Sequence, residues 1–317
     1  MDGLAVPSHG LKLLSGSANP ELAEEIARNL GVELCRLHLG RFADGEISVR
    51  IEENVRGNDV FILQPTNPPA ENIMELLLLI DAAKRASAAR ITCVMPYYGY
   101  ARQDRKDQPR VPIGAKLMAN MITGAGVDRV LGVDFPQHQL QGFFDVPVDH
   151  LYAMPVFTAH YRKMNLNDPV VVAPDVGSAK MARGFAKRLN ATLAIIDKRR
   201  PRPNVSEVVN VVGEVEGHDC ILVDDMIDTA GTVTEAARAL RGLGALDIYI
   251  CATHALLSGP AVQRLCDAPI KEVAVTDTIR IPAERRIDKL AILSVGELLS
   301  KAIRFTHSEQ SVSSLFD

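Results

Sequence analysis

The densest run of chemically capable side chains is Cys220-Ile221-Leu222-Val223-Asp224-Asp225-Met226-Ile227-Asp228-Thr229-Ala230-Gly231-Thr232, an apolar strand pattern that enters an acidic turn and opens a helix. Backbone N–H groups of Thr229 to Thr232 stand at a helix start, where orphan donors and the helix dipole both favour negative charge. With the two threonine hydroxyls they form a cradle for a phosphate monoester. Asp224 and Asp225 are placed to accept hydrogen bonds from neighbouring hydroxyls such as those of a ribose. The bland alternative is a helix capped by Asp228 or Thr229, with the aspartates in water. Asp175 follows the apolar run Val170–Ala173 and precedes Gly177-Ser178, small enough for backbone N–H groups to approach a pyrophosphate. Phe42-Ala43-Asp44-Gly45-Glu46 offers an aromatic face for an adenine and two carboxylates for its amino group or ribose; taken alone it is an ordinary Asp-Gly turn. Lys198 to Arg202 carries four cationic side chains in five residues, readable either as a solvated surface or as a phosphate-facing loop. No GxxxxGK[ST] phosphate loop and no HExxH zinc helix occurs.

These residues must be held by elements, and the elements repeat. Ala23 to Leu34 is echoed by Ala182 to Leu193 at an offset of 159, and Gly57 to Gln64 by Gly217 to Asp224 at an offset of 160. Each half opens with an apolar run, Leu11–Leu14 or Val170–Ala173, then a small-residue turn and a segment with helical spacing such as Leu22, Ile26 and Leu30. Later runs at Val60–Leu63, Ile91–Met95 and Val130–Val133 are matched by Ile221–Val223, Ile248–Cys251 and Val273–Val275, short and β-branched as strands buried on both faces require. The alternation predicts an α/β protein of two tandem duplicated domains, each a mainly parallel sheet flanked by helices, with ligands beyond the carboxyl ends of the strands. The seam is expected near Val148 to Pro155, with domains at 8–152 and 153–304 and a tail at 305–317. Lys198 to Asn204, just past a strand Ala194–Ile196, and Tyr97 to Arg110 read as mobile loops. Gln64-Pro65-Thr66 stands where the second copy has Asp224-Asp225-Met226, so one active site per chain is expected.

Composition narrows the partners. The chain has 317 residues, 47% hydrophobic and 23% charged, enough for a sizeable core. A net charge of −4 lacks the basic excess that non-specific nucleic-acid or membrane-surface binding needs. The longest apolar run, Ile73 to Ile80, is broken by Glu75 and is far short of a bilayer span, and the Met1 end has no basic-then-apolar secretory pattern. Cys35, Cys93, Cys220, Cys251 and Cys266 are scattered without CxxC spacing and read as buried small hydrophobes in a reducing compartment, so a cytoplasmic protein is expected.

The Asp224–Thr232 run resembles the phosphoribose-binding signature shared by phosphoribosyltransferases and ribose-phosphate pyrophosphokinases. The second family resembles far more of the chain. Its landmarks are matched in order by Ser15-Gly16-Ser17, Arg41 to Glu46, Pro96 to Asp107, Gln141-Gly142-Phe143-Phe144, Pro174 to Lys180, Lys198 to Arg200 and Ser311-Val312-Ser313, from about Leu11 to Phe316. The resemblance is to the phosphate-activated, hexameric class I. It implies phosphoribosyltransferase-like domains and Mg²⁺-dependent transfer of a pyrophosphoryl group from ATP to ribose 5-phosphate, with AMP released, for nucleotide biosynthesis. It also implies that Lys198 and Arg200 stabilise the transferring β-phosphoryl group. Phe42, Asp44, Gly45, Glu46, Arg102, Gln103 and Asp107 would bind ATP, the first four across a subunit interface. Asp224, Asp225, Asp228, Thr229, Ala230, Gly231 and Thr232 would bind ribose 5-phosphate, and Asp175 would help hold the magnesium. Pro136 replaces the family's metal-linked histidine, and His138 two residues on is the candidate substitute. A regulatory phosphate or ADP site is implied at Arg56, Ser87, Ser311 and Ser313, with Asn54 where better-known members have serine. The rival readings are a non-catalytic regulatory relative, raised by Pro136, and a phosphoribosyltransferase.

Overall fold

The structure is a computed structural model that describes residues 9–202 and 205–315, with the side chains of 198–209 outside the described set. The chain divides into two compact units: Met1–Tyr152 with Thr278–Arg280 and Val295–Asp317, and Ala153–Asp277 with Ile281–Ser294.

In the first unit the chain runs β1 (Leu11–Ser15), α1 (Pro20–Leu30), β2 (Leu37–Arg41), β3 (Ile47–Ile51), β4 (Asp59–Leu63), α2 (Glu71–Arg85), β5 (Arg90–Met95), α3 (Gly114–Ala125), β6 (Arg129–Val133) and β7 (Val148–Leu151). A parallel sheet has the order β1-β4-β5-β6-β7, and β2 and β3 form a separate antiparallel hairpin. The β-branched runs lie at the centre, where all five residues of β4 are buried. Helix α1 starts where the Asn19 side chain accepts from the Leu22 N–H and Pro20 takes the first turn, and it turns Leu22 and Ile26 inward.

In the second unit the order is α4 (Met154–Tyr161), β8 (Val170–Ala173), α5 (Ala179–Leu189), β9 (Thr192–Arg202), β10 (Val205–Val212), β11 (Cys220–Ile227), α6 (Gly231–Gly242), β12 (Ile248–Ala255), α7 (Ala261–Asp267), β13 (Glu272–Thr276) and β14 (Leu290–Leu293). Its sheet reads β10-β9-β8-β11-β12-β13-β14, parallel except for the β9–β10 pair. The stretch β8-β11-β12-β13-β14 repeats the order of β1-β4-β5-β6-β7, so the sequence repeat is a repeat of topology. Each unit has its own apolar core, one around Ile62, Cys93 and Val130 and the other around Leu222, Ile250 and Val273.

Three expectations are corrected. Lys198 to Arg202 is the outer end of β9 rather than a loop, because β10 pairs with it as far as Val205↔Arg202; Pro203 and Asn204 lie outside the described residues. The second domain does not run to 304. Helix α8 (Gly296–His307) belongs to the first unit, where it packs on α1: Gly296 leaves no room for a Cβ beside Glu25, Arg304 donates to the Asn29 carbonyl at 3.0 Å, and His307 Nδ1 lies 2.8 Å from the buried Asp59 carboxylate. Cys266 is exposed, unlike the other four cysteines. No helix among the described residues is long and apolar enough to cross a membrane.

Candidate active site

Strand β11 changes character halfway along. Cys220 to Val223 are fully buried; Asp224, Asp225 and Met226 are half-buried, and Asp224 still pairs in register with Ala252 of β12. The two carboxylates thus leave the apolar core while held in the sheet. Burial is the main reason, and the neighbouring Asp225 the next, that the Asp224 carboxyl is held well above the usual carboxylate range. Burial also raises Asp225, and the negative charge of Asp175 adds to both. The turn thus gathers two carboxyl groups close to a third, that of Asp175, which raises the cost of charge on both.

Past the strand the turn is braced from the segment after β12: Leu256 and Leu257 donate to the Ile227 carbonyl, each at 3.0 Å, and Ser258 donates to that of Asp228 at 2.8 Å. Helix α6 then begins at Gly231 with no side-chain cap, its N-cap being Ala230 at φ 59°. The N-cap position is therefore Ala230 and not Asp228 or Thr229. Asp175 sits just beyond β8, where one of its oxygens accepts from the Ser178 N–H at 2.9 Å and the Ser178 hydroxyl at 3.1 Å. The backbone of Lys198 and Arg200 continues β9; their side chains lie outside the described residues.

In the first unit Arg102, Gln103 and Asp107 line one cavity of about 560 Å³, together with Asp104, Arg105, Pro136 and Gln137. Gln103 is fixed at the start of α3, where the Ala115 N–H donates to its carbonyl at 3.1 Å. Arg105 and Gln137 were not among the expected site residues; their signal was the loop that Arg105 shares with Arg102 and the place of Gln137 beside Pro136. Phe42, Asp44, Gly45 and Glu46 form the tip of the β2–β3 hairpin. There the Phe42 N–H donates to the Glu46 carbonyl at 2.9 Å, Gly45 takes φ +97°, and the Phe42 ring is 59% exposed. His138 is in an aromatic group with His150 and Tyr152, at centroid distances of 5.4 and 6.0 Å. Ser311 and Ser313 share a 2.6 Å hydroxyl contact and line a second cavity of about 550 Å³ with Arg90 and Arg129. Arg56 and Ser87 are neighbours through the bond from the Gly57 N–H to the Ser87 carbonyl, at 2.8 Å, and are not among that cavity's lining residues.

At the matching place in the first unit, β4 is followed by Gln64, which is fully buried. Its Nε2 donates to Glu75 of α2 at 2.8 Å, and Ser17 donates to the same carboxylate through its N–H at 2.6 Å and its hydroxyl at 2.9 Å. Gly16 is required here, because a Cβ would come within 2.2 Å of Gln64 Oε1. The traces of this arrangement in the sequence were Gln64 at the place of Asp224 and Glu75 breaking an apolar run.

Two mainly parallel-sheet units of one strand order, the second carrying paired aspartates in the outer half of its central strand ahead of the helix that opens at Gly231, define a tandem phosphoribosyltransferase-like protein. Residues 11–126 match the family model of the N-terminal domain of ribose phosphate pyrophosphokinase, and residues 198–317 that of the phosphoribosyl synthetase-associated domain. Ribose-phosphate pyrophosphokinase of Caldanaerobacter subterraneus is 55% identical over 311 residues, 98% of each chain. That of Bacillus subtilis is 53% identical over 307 residues, covering 96% of this chain and 97% of the relative. The crystal structure of phosphoribosylpyrophosphate synthetase from Mycobacterium smegmatis superposes with a TM-score of 0.88 at 44% identity, over 95% of this chain and 99% of that one. The chain belongs to the ribose-phosphate pyrophosphokinase family of enzymes.

Proposed function

We propose that the chain transfers the pyrophosphoryl group of ATP to the 1-hydroxyl of ribose 5-phosphate, giving phosphoribosyl pyrophosphate and AMP. The observation that carries this reading is the Asp224–Asp225 pair held in β11 ahead of the start of α6, in a chain with the family's likeness over nearly its full length. The two carboxylates accept from the vicinal 2- and 3-hydroxyls. Asp228 and the turn Thr229, Ala230, Gly231 and Thr232 take the 5-phosphate, leaving the 1-hydroxyl to point away from both anchors. Its oxygen forms a bond to the β-phosphorus as the bond from that phosphorus to the α-bridging oxygen breaks; AMP leaves with the electron pair and the hydroxyl proton passes to solvent. Lys198 and Arg200 supply positive charge to the transferring group, which is the main demand of phosphoryl transfer. Arg102, Gln103 and Asp107 hold ATP, with Phe42, Asp44, Gly45 and Glu46 serving the ATP of a neighbouring subunit in a homo-oligomer, in our reading a hexamer.

Among the described residues no group of three or more His, Cys, Asp or Glu is disposed to hold an ion unaided. The residues nevertheless fit magnesium. Asp175, Asp224 and Asp225 gather hard carboxylate oxygens whose mutual repulsion a cation would relieve, and Mg²⁺ ordinarily completes its shell with substrate phosphates and water. Asp175 would hold the ion, with His138 the candidate second contact, and the ion would neutralise charge on the triphosphate. Phosphate and ADP are proposed as effectors acting through Arg56, Ser87, Ser311 and Ser313. A cytoplasmic enzyme with neither nucleic-acid nor membrane partners completes the reading. Incubation with ATP, Mg²⁺ and ribose 5-phosphate should yield AMP and phosphoribosyl pyrophosphate in equal amounts. A protein that binds these substrates without turnover would be a regulatory relative, and one that only consumes phosphoribosyl pyrophosphate with a base would be a transferase.

A further inference from the structure

The turn between β11 and α6 holds two features that are unfavourable by themselves. Ala230 has φ 59° and ψ 8°, a left-handed conformation that a non-glycine residue rarely adopts. The Arg264 guanidinium, reaching from α7, stands at the start of α6, where the helix dipole repels a cation, and among the described residues it is in no ion pair. One bond joins them: Arg264 Nη1 donates to the Thr229 carbonyl at 2.9 Å. The Thr229–Ala230 peptide is planar and trans, so a carbonyl aimed at Arg264 turns the Ala230 N–H to the opposite side. Ala230 is buried, and its N–H meets no acceptor among the described residues. A buried N–H without a partner is rare and needs an acceptor from elsewhere.

We propose that Arg264 is a positioning residue for the sugar-phosphate turn: by holding the Thr229 carbonyl it keeps Ala230 in the left-handed conformation and aims the Ala230 N–H at the 5-phosphate. This rests on the reading that the turn takes ribose 5-phosphate. Arg264 does not touch the reacting atoms, so its effect belongs to sugar-phosphate affinity rather than to the chemical step.

The test compares Arg264→Met, which keeps the stem and loses the donor, with Arg264→Lys, which keeps one donor, alongside the wild type and an Asp224→Asn/Asp225→Asn variant. Ribose 5-phosphate binding is read by calorimetry, and turnover is measured with either substrate varied. Expected for Arg264→Met is roughly a tenfold loss of ribose 5-phosphate affinity, the size of one lost hydrogen bond, with the KM for ATP and the kcat at saturating sugar phosphate within about twofold of wild type on the same scale. Arg264→Lys should recover most of the affinity. Wild-type affinity in Arg264→Met, or equal losses in every parameter together with a lower Tm, would overturn the proposal. If the double aspartate variant loses sugar-phosphate affinity and Arg264→Met does not, only the role of Arg264 fails. If the double aspartate variant binds ribose 5-phosphate as wild type does, the reading of the turn fails and this proposal with it.

Discussion

The ends of β4 and β11 occupy the same place in two copies of one topology and are built in opposite ways. At β4, Gln64 turns inward and the Glu75 carboxylate receives three donors from Ser17 and Gln64, so every charge has a protein partner. At β11, Asp224 and Asp225 face each other's charge and that of Asp175, and burial holds both carboxyls above their ordinary range. One turn is satisfied by its own side chains, and at the other two carboxyl groups are held where burial and a third carboxyl raise their proton affinity. On the proposed reading, electrostatic cost collects at the copy that binds substrate, as expected where a site carries strain that the rest of the fold tolerates.

The largest break should come at β9 of the second unit. Lys198→Ala or Arg200→Ala is expected to lower kcat by about 10²–10³ while leaving ribose 5-phosphate binding nearly intact, since preorganised positive charge matters chiefly where the transition state gathers negative charge. Retention of more than about a tenth of wild-type turnover, well short of that loss, would remove the residue from the chemistry.

In the first unit the satisfied turn should respond in stability. Glu75→Ala takes one acceptor from the buried Gln64 amide, which keeps the Asn72 carbonyl, and the acceptor of the exposed Ser17, and should destabilise the protein by about 1 kcal/mol in urea unfolding, with ribose 5-phosphate affinity unchanged. The second unit should respond with the opposite sign. The Asp224→Asn/Asp225→Asn variant sheds buried charge and should gain on the order of 1 kcal/mol at neutral pH. Because the folded-state carboxyls are raised, the native state holds more protons than the unfolded chain above pH ~4. Wild-type stability therefore falls as pH rises from there through the raised values, and the double variant should lose that slope. An unfolding series across pH that shows parallel curves would contradict the assignment.

A smaller effect is expected at Pro136, which lines the cavity of Arg102 and Asp107. Mg²⁺ prefers oxygen ligands to imidazole, so the enzyme should be active without a histidine there. Pro136→His should modestly lower the Mg²⁺ concentration for half-maximal activity, and His138→Ala should raise it; superimposable titrations would show that neither side chain touches the ion.

Much of this architecture was legible in the residues. The strands at Val60, Ile91, Val130 and their later counterparts stood out as short β-branched runs, and the repeated offset announced two copies of one topology. The acidic turn was legible because Asp224 and Asp225 follow four buried apolar residues without a break. What escaped depends on partners distant in sequence. Lys198 to Arg202 looks like a loop until β10 pairs with it, and α8 looks like the end of the second domain until Glu25 and Asn29 of the first receive it. Gln64 and Glu75 each stood out, one as the counterpart of Asp224 and the other as a break in an apolar run, but they are 11 residues apart, so their hydrogen bond and its link to Ser17 could be found only in three dimensions.

The contrast between the two turns is tested most directly by titrating ribose 5-phosphate into the protein by calorimetry, in the wild type and in Asp224→Asn/Asp225→Asn. One site per chain is predicted for the wild type, weakened at least tenfold in the double variant through loss of charge-assisted hydrogen bonds to the hydroxyls. Two equivalent sites per chain, or one site of unchanged affinity in a folded double variant, would contradict it.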